Sequence, residues 1–179
     1  DILSYRFDPK PFGLIYAGAQ KNLGPSGVTL VIVRQDMLDR CSGSLPTMLS
    51  YKTHADKNSL YNTPPSFGIY LMNKVLNWIK RNGGVDGIEK INAEKAKRLY
   101  DAIDDSDGFY RNSISAGDRS KMNVVFRLPN EDLEKQFVAE GLAVGLVGIK
   151  GHRSVGGIRV SIYNANRLDA VEEIVSFMN

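Results

Sequence analysis

The sequence predicts an α/β chain in two parts. Residues 1–65 read as the end of a larger sheet domain, and residues 66–179 as a small α+β domain with a mostly antiparallel sheet. Three observations carry this reading. Two short apolar runs, 12–17 and 28–34, flank a glycine-rich loop near the start, and two strands alone cannot complete a sheet domain. From Phe67 to Ile103 apolar residues recur at helical spacing, which places two long amphipathic helices there. Beyond them short strands alternate with short helices to the end of the chain.

Taken in order, Phe12 to Ala17 is apolar and short, and Val28 to Arg34 is β-branched almost throughout. Both read as buried strands. Gly18 to Gly27 is then a sharp loop joining two strands of one sheet. Asp36 to Arg40 fits a short helix or turn. Residues 41–63 have no clear period, and a loop of that length is more often functional than idle. Thr63 suits an N-cap and Pro64 the first helical position. Phe67, Tyr70, Leu71, Val75, Trp78 and Ile79 form one stripe, with Lys80 and Arg81 in the last turn and Gly83-Gly84 as the stop. Asp86 and Glu89 resemble a capping box for the second helix, whose stripe is Ile88, Ile91, Ala96, Leu99 and Ile103. Asn123 to Leu128 reads as a strand. Asn130 caps a helix that carries Leu133 and Phe137 and ends at Gly141. Ala143 to Val147 is expected as a short strand, and Ile158 to Tyr163 as a strictly alternating one. Arg167 to Met178 is the closing helix, with Leu168, Val171, Val175 and Met178 inward.

Composition excludes several classes. The 23 Lys and Arg against 20 Asp and Glu leave a net charge of only +3, and the basic residues are dispersed. No tract could neutralise a run of nucleic-acid phosphates. No apolar run approaches the ~18 residues of a membrane span. The single cysteine, Cys41, supplies neither an internal disulfide nor a metal framework, and no metal site is expected. A single Cys and a polar first ten residues without targeting character predict a cytoplasmic setting. The start at Asp1, with no Met, leads one to expect a fragment, a processed chain or an incomplete one.

Three groups of residues could carry chemistry. Lys21 sits in a Gly-bounded turn directly after the first strand. A lysine becomes a nucleophile at neutral pH when its surroundings lower its pKa or an aldehyde captures it. Gln20 and Asn22 beside it offer amides. On spacing alone an ordinary solvated lysine fits as well. Asn62 and Thr63 precede a helix, whose N-terminus attracts anions. Pro64 and Pro65 remove two of its donors, which would leave the Asn62 amide, the Thr63 hydroxyl and their backbone N–H groups. Plain capping by Thr63 is the simpler alternative. In the third group, Arg159 shares a strand face with Ser161 and Tyr163, away from Ile158, Val160 and Ile162. A guanidinium grips a carboxylate at two points. His152 and Arg153 lie just upstream, in a loop that Gly151, Gly156 and Gly157 allow to fold closely around an anion. A surface salt-bridged pair is the alternative. His54 reads as a loop histidine, Trp78 as core, and Arg127 and Asp104-Asp105 as surface.

Three stretches, in order, carry a resemblance. They are Ile15-Tyr16-Ala17-Gly18-Ala19-Gln20-Lys21-Asn22-Leu23-Gly24-Pro25-Ser26-Gly27, then Ser59-Leu60-Tyr61-Asn62-Thr63-Pro64-Pro65-Ser66, then Gly151-His152-Arg153-Ser154-Val155-Gly156-Gly157-Ile158-Arg159. Together they resemble the phosphoserine aminotransferases, class V enzymes of the fold-type I, pyridoxal-phosphate-dependent group. The resemblance runs from about residue 10 to the end and implies the C-terminal half: the end of the large cofactor-binding domain, then the small α+β domain. It implies that Lys21 holds pyridoxal 5'-phosphate as a Schiff base and moves protons, and that Gln20 contacts the cofactor phosphate. Asn62 and Thr63 are implied to bind that phosphate in the neighbouring subunit of a homodimer. Arg159 is implied to hold the substrate α-carboxylate, and His152 and Arg153 the phosphate of phosphoserine or the side-chain carboxylate of glutamate. The implied reaction passes an amino group between L-glutamate and 3-phosphooxypyruvate, in serine and bacterial pyridoxine biosynthesis. The aromatic stacker, the pyridinium-binding carboxylate and the phosphate-cradling turn lie upstream of the lysine in this family, so this half alone is expected to be inactive. Alternatives are a transaminase of alanine–glyoxylate type and a non-catalytic dimerisation or binding fragment.

Overall fold

A computed structural model describes residues 2–179. The chain forms two compact units, one over residues 6–82 and one over 83–179 together with 3–5. The compact units divide at 82/83, with the first long helix in the earlier unit.

In the first unit β1 (Leu14–Gly18) and β2 (Thr29–Val33) pair antiparallel, with Leu14 opposite Val33 and Gly18 opposite Thr29. Neither strand is buried, contrary to the sequence reading. Tyr16 is 73% exposed and Ile32 48%, because a two-stranded hairpin has too few neighbours to cover both faces. α1 (Gln35–Asp39) follows as expected. The stretch 41–63 is less irregular than its composition suggests, since it holds a 3₁₀ turn (Thr47–Leu49) and α2 (Tyr51–Ala55).

α3 (Ser66–Arg81) starts later than the sequence reading placed it. Pro65 disfavours helical backbone at Pro64, and Thr63 faces the same restriction from Pro64, so neither opens the helix and Thr63 is not its cap. The Ser66 N–H instead donates to the Pro64 carbonyl at 2.8 Å. Of the expected stripe only Ile79 is buried, while Phe67 and Tyr70 are 73% and 53% exposed. The helix lies close on the hairpin. A Cβ built on Gly68 would meet a Val28 methyl at 2.8 Å, and one on Gly24 would meet the Met72 Cα at 3.3 Å.

The second unit contains α4 (Gly84–Asp104), β3 (Asn123–Phe126), α5 (Glu131–Ala143), β4 (Ile158–Ser161) and α6 (Leu168–Met178). α4 begins before the expected capping box, with left-handed Gly83 as its N-cap, so Asp86 stands in the first turn as a dipole-matched acid. β3 and β4 pair antiparallel, Asn123 opposite Ser161 and Phe126 opposite Ile158. One face of this pair is buried through Val124, Phe126, Ile158 and Val160, and α4 and α6 supply Leu99, Ile103 and Val171 to the same core. Asn130 caps α5 as expected, its Oδ1 accepting the Leu133 N–H at 2.9 Å. Ala143 to Val147 is not a strand. The helix runs to Ala143 and ends in a turn with Gly145 and Gly148 left-handed, which no strand accommodates.

A polar cluster, not foreseen in the sequence, lies inside this unit. Lys95 is fully buried, and its ammonium donates to the carbonyls of Ile162, Tyr163 and Asn166 at 3.0, 2.8 and 3.1 Å. Burial lowers its pKa to about 8. Buried Asn92 donates to the Ser4 carbonyl at 3.0 Å and to Asn164 Oδ1 at 2.8 Å, and Asn164 donates to the Leu3 carbonyl at 2.9 Å. These bonds fasten residues 3–4 and the turn after β4 to α4.

Candidate functional site

Lys21 lies in the loop between β1 and β2, in the left-handed region with φ 87°. A lysine pays roughly 1–2 kcal/mol for that conformation, so the surrounding loop must hold it there. Several contacts do so. The Ala19 N–H donates to the Val28 carbonyl at 2.8 Å, and the Leu23 N–H to the Ala19 carbonyl at 3.2 Å. Ala19 and Leu23 are buried at 0% and 1% exposure, which pins the chain on both sides of the lysine. Asn22 is buried too, and its amide donates to the Ile2 carbonyl at 3.3 Å. Asn22 is therefore a structural anchor, while Gln20 and Lys21 are exposed.

Asn62 and Thr63 lie in the irregular segment before α3, both exposed. The Asn62 amide donates to the Thr63 carbonyl at 3.2 Å, and the Thr63 hydroxyl is not occupied in capping. His54, read as a loop histidine, lies on α2 instead, and its Nε2 contacts the Met48 carbonyl at 3.1 Å.

In the second unit His152, Arg153 and Arg159 come together on one hairpin. The Gly151 N–H donates to the Gly157 carbonyl at 2.7 Å and the Arg159 N–H to the Ile149 carbonyl at 2.8 Å, which closes loop 151–157 directly onto β4. Within the loop, the Val155 and Gly156 N–H groups donate to the His152 carbonyl at 2.9 and 2.8 Å. His152 Nδ1 accepts the Ser154 N–H at 3.3 Å and contacts Ser154 Oγ at 2.7 Å. Nδ1 is thus engaged within the loop. His152 and Arg153 are exposed. Arg159 sits opposite Val125 on the polar face, as the alternation predicts, and its Nε is buried without a hydrogen-bond partner. A buried guanidinium donor without an acceptor is costly in the free protein and is suited to an incoming carboxylate.

Two residues near this hairpin carry more than the sequence suggested. Arg127, read as surface, bonds Glu134 and the Val155 carbonyl, each at 2.7 Å. Glu134 was not singled out at all. The signal available was Glu134 in the first turn of a helix four residues after its Asn130 cap, which marks a dipole-matched acid but not its partners.

The class-V aminotransferase family model matches residues 1–174. The chain is 60% identical to a phosphoserine aminotransferase of Lysinibacillus sphaericus, over 99% of this chain and 49% of that protein. The structure of phosphoserine aminotransferase from Bacillus circulans subsp. alkalophilus superposes with a TM-score of 0.97 at 58% identity, over 99% of this chain and 49% of that one. That of pyridoxal-phosphate-bound phosphoserine aminotransferase from Trichomonas vaginalis superposes with a TM-score of 0.90 at 38% identity, over 96% and 49%. The chain thus spans about half the length of the curated relatives it matches. The backbone is that of a pyridoxal-phosphate-dependent aminotransferase, and the chain belongs to the class-V aminotransferase family.

Proposed function

We propose that this chain is the C-terminal half of a phosphoserine aminotransferase, with residues 1–65 ending the large domain and 66–179 forming the small one. The intact enzyme transfers the amino group of L-glutamate to 3-phosphooxypyruvate, giving 2-oxoglutarate and O-phospho-L-serine. Its setting is serine biosynthesis, and in bacteria pyridoxine biosynthesis, in the cytoplasm. The observation that carries the reading is the hairpin of the second unit. It presents His152 and Arg153 outward on a loop closed onto the strand whose Arg159 keeps an unpaired buried Nε.

The residues present fit pyridoxal phosphate in kind. Lys21, an exposed residue, offers an amine for the aldehyde, on a loop that tolerates a left-handed lysine. Gln20 offers an amide for the phosphate, and Asn62 and Thr63 an amide and a hydroxyl for the phosphate of a partner subunit in a homodimer. When bound, the cofactor supplies the electron-withdrawing ring that stabilises charge at the substrate Cα. Lys21 would hold it, and as a freed amine would take the proton from the substrate Cα and later return it. Arg159 grips the α-carboxylate at two points and so orients the Cα–H bond. His152 and Arg153 take up the second anion, which is a phosphate in phosphoserine and a carboxylate in glutamate.

A transaminase of alanine–glyoxylate type would have little use for the His152-Arg153 pair, and a non-catalytic dimerisation fragment none for Lys21. Turnover of O-phospho-L-serine and of L-alanine by the full-length protein tests the choice. Strong preference for phosphoserine is expected, and activity on alanine alone overturns the reading.

A further inference from the structure

We propose that Arg127 and Glu134 are positioning residues that hold loop 151–157 in the shape needed to bind the substrate's second anion. This rests on the function proposed above. Arg127 follows β3 directly, and its backbone is fixed by paired bonds with Arg111, both at 2.9 Å. From there its side chain reaches the loop. Nε pairs with Glu134 Oε1 at 2.7 Å, and Nη1 donates to the Val155 carbonyl at 2.7 Å.

Glu134 completes the strut from the other side. Its side chain is only 10% exposed. Oε2 accepts the Gly157 N–H at 3.2 Å, and Oε1 also accepts the Leu128 N–H at 3.4 Å. One carboxylate therefore ties together the end of β3, the first turn of α5 and the closing residue of the loop.

The glycines make room for it. Gly156 and Gly157 have φ of 78° and 73°, and a Cβ on them would lie 2.9 Å from Arg127 Nη1 and 2.7 Å from Arg127 Cδ. The arginine stem thus lies flat on the loop backbone. The pair is net neutral, so it shapes the loop without adding charge that would itself attract the substrate. A carboxylate this buried is retained against its desolvation cost, and its bonds converge on the segment that presents His152 and Arg153.

The test uses the full-length enzyme with cofactor bound. Arg127→Met is compared with wild type in the half-reactions with O-phospho-L-serine and with L-alanine, which has no second anion. A misplaced binding loop should raise KM for phosphoserine by about tenfold or more, with kcat within about threefold and kcat/KM for alanine within about twofold of wild type. Glu134→Gln, the milder change, reads the same ratio if Arg127→Met folds poorly. Equal losses on both substrates, or no loss on either, overturn the proposal. A wild type that does not prefer phosphoserine overturns the function reading, and this inference with it. Intact wild-type preference that the variants share overturns this inference alone.

Discussion

Lys21 holds a left-handed conformation that a glycine would adopt freely. Lys21→Gly should therefore raise the stability of the full-length apoprotein by about 1 kcal/mol while abolishing transamination. Denaturant unfolding and turnover, measured side by side, check both halves of that expectation. Arg159 Nε is buried without a hydrogen-bond partner, and in the function proposed it would make the same trade between stability and binding. Arg159→Lys keeps the charge and loses the two-point grip, so KM for amino-acid substrates should rise at least about tenfold. Lys95 gives a pH signature. Its folded pKa of about 8 lies below the unfolded value of about 10.4, so between these limits the unfolded chain binds more protons. The cost of burying the ammonium is fully present below about pH 8 and is relieved as pH rises through that window. Wild type should thus gain stability relative to Lys95→Met between roughly pH 8 and 10.4 in paired unfolding curves. A flat difference would contradict this.

Each element shows why part of the fold could be read in the sequence. Asn130 and the stripe Leu133 and Phe137 located α5, because a cap and a helical period are local signals. Asn130→Ala should cost about 1 kcal/mol of stability in the same unfolding assay. β4 was legible through its alternation, which placed Arg159 on the polar face correctly. The start of α3 was misjudged because the paired restriction from Pro64 and Pro65 outweighs the capping preference of Thr63. The expected strand at 143–147 failed because its apolar residues have no partner strand, and glycine geometry decides the backbone there. The bonds that Arg127 and Glu134 make to loop 151–157 and the Lys95 cluster were invisible, since they join residues 23 to 71 positions apart in the chain. Gly157→Ala tests how tightly the loop is built. The added methyl meets Arg127 Cδ and the Phe126 carbonyl at 2.7 and 2.8 Å in a left-handed backbone, so phosphoserine binding should weaken sharply in a KM measurement.

At the scale of the whole molecule, the chain spans about half of its relatives' length, and the first unit leaves several large apolar side chains exposed. Tyr16, Phe67 and Leu49 are 73%, 73% and 70% exposed. The three candidate groups stood out in sequence order because each occupies a short contiguous stretch. In the function proposed, their chemistry would depend on one covalent event, the capture of pyridoxal phosphate by Lys21. The most direct measurement is borohydride reduction of the full-length protein loaded with cofactor, followed by peptide mass spectrometry. A phosphopyridoxyl label is expected on the peptide carrying Lys21, and none in Lys21→Ala. A label on a different lysine, or bound cofactor that borohydride fixes to no lysine at all, would contradict it.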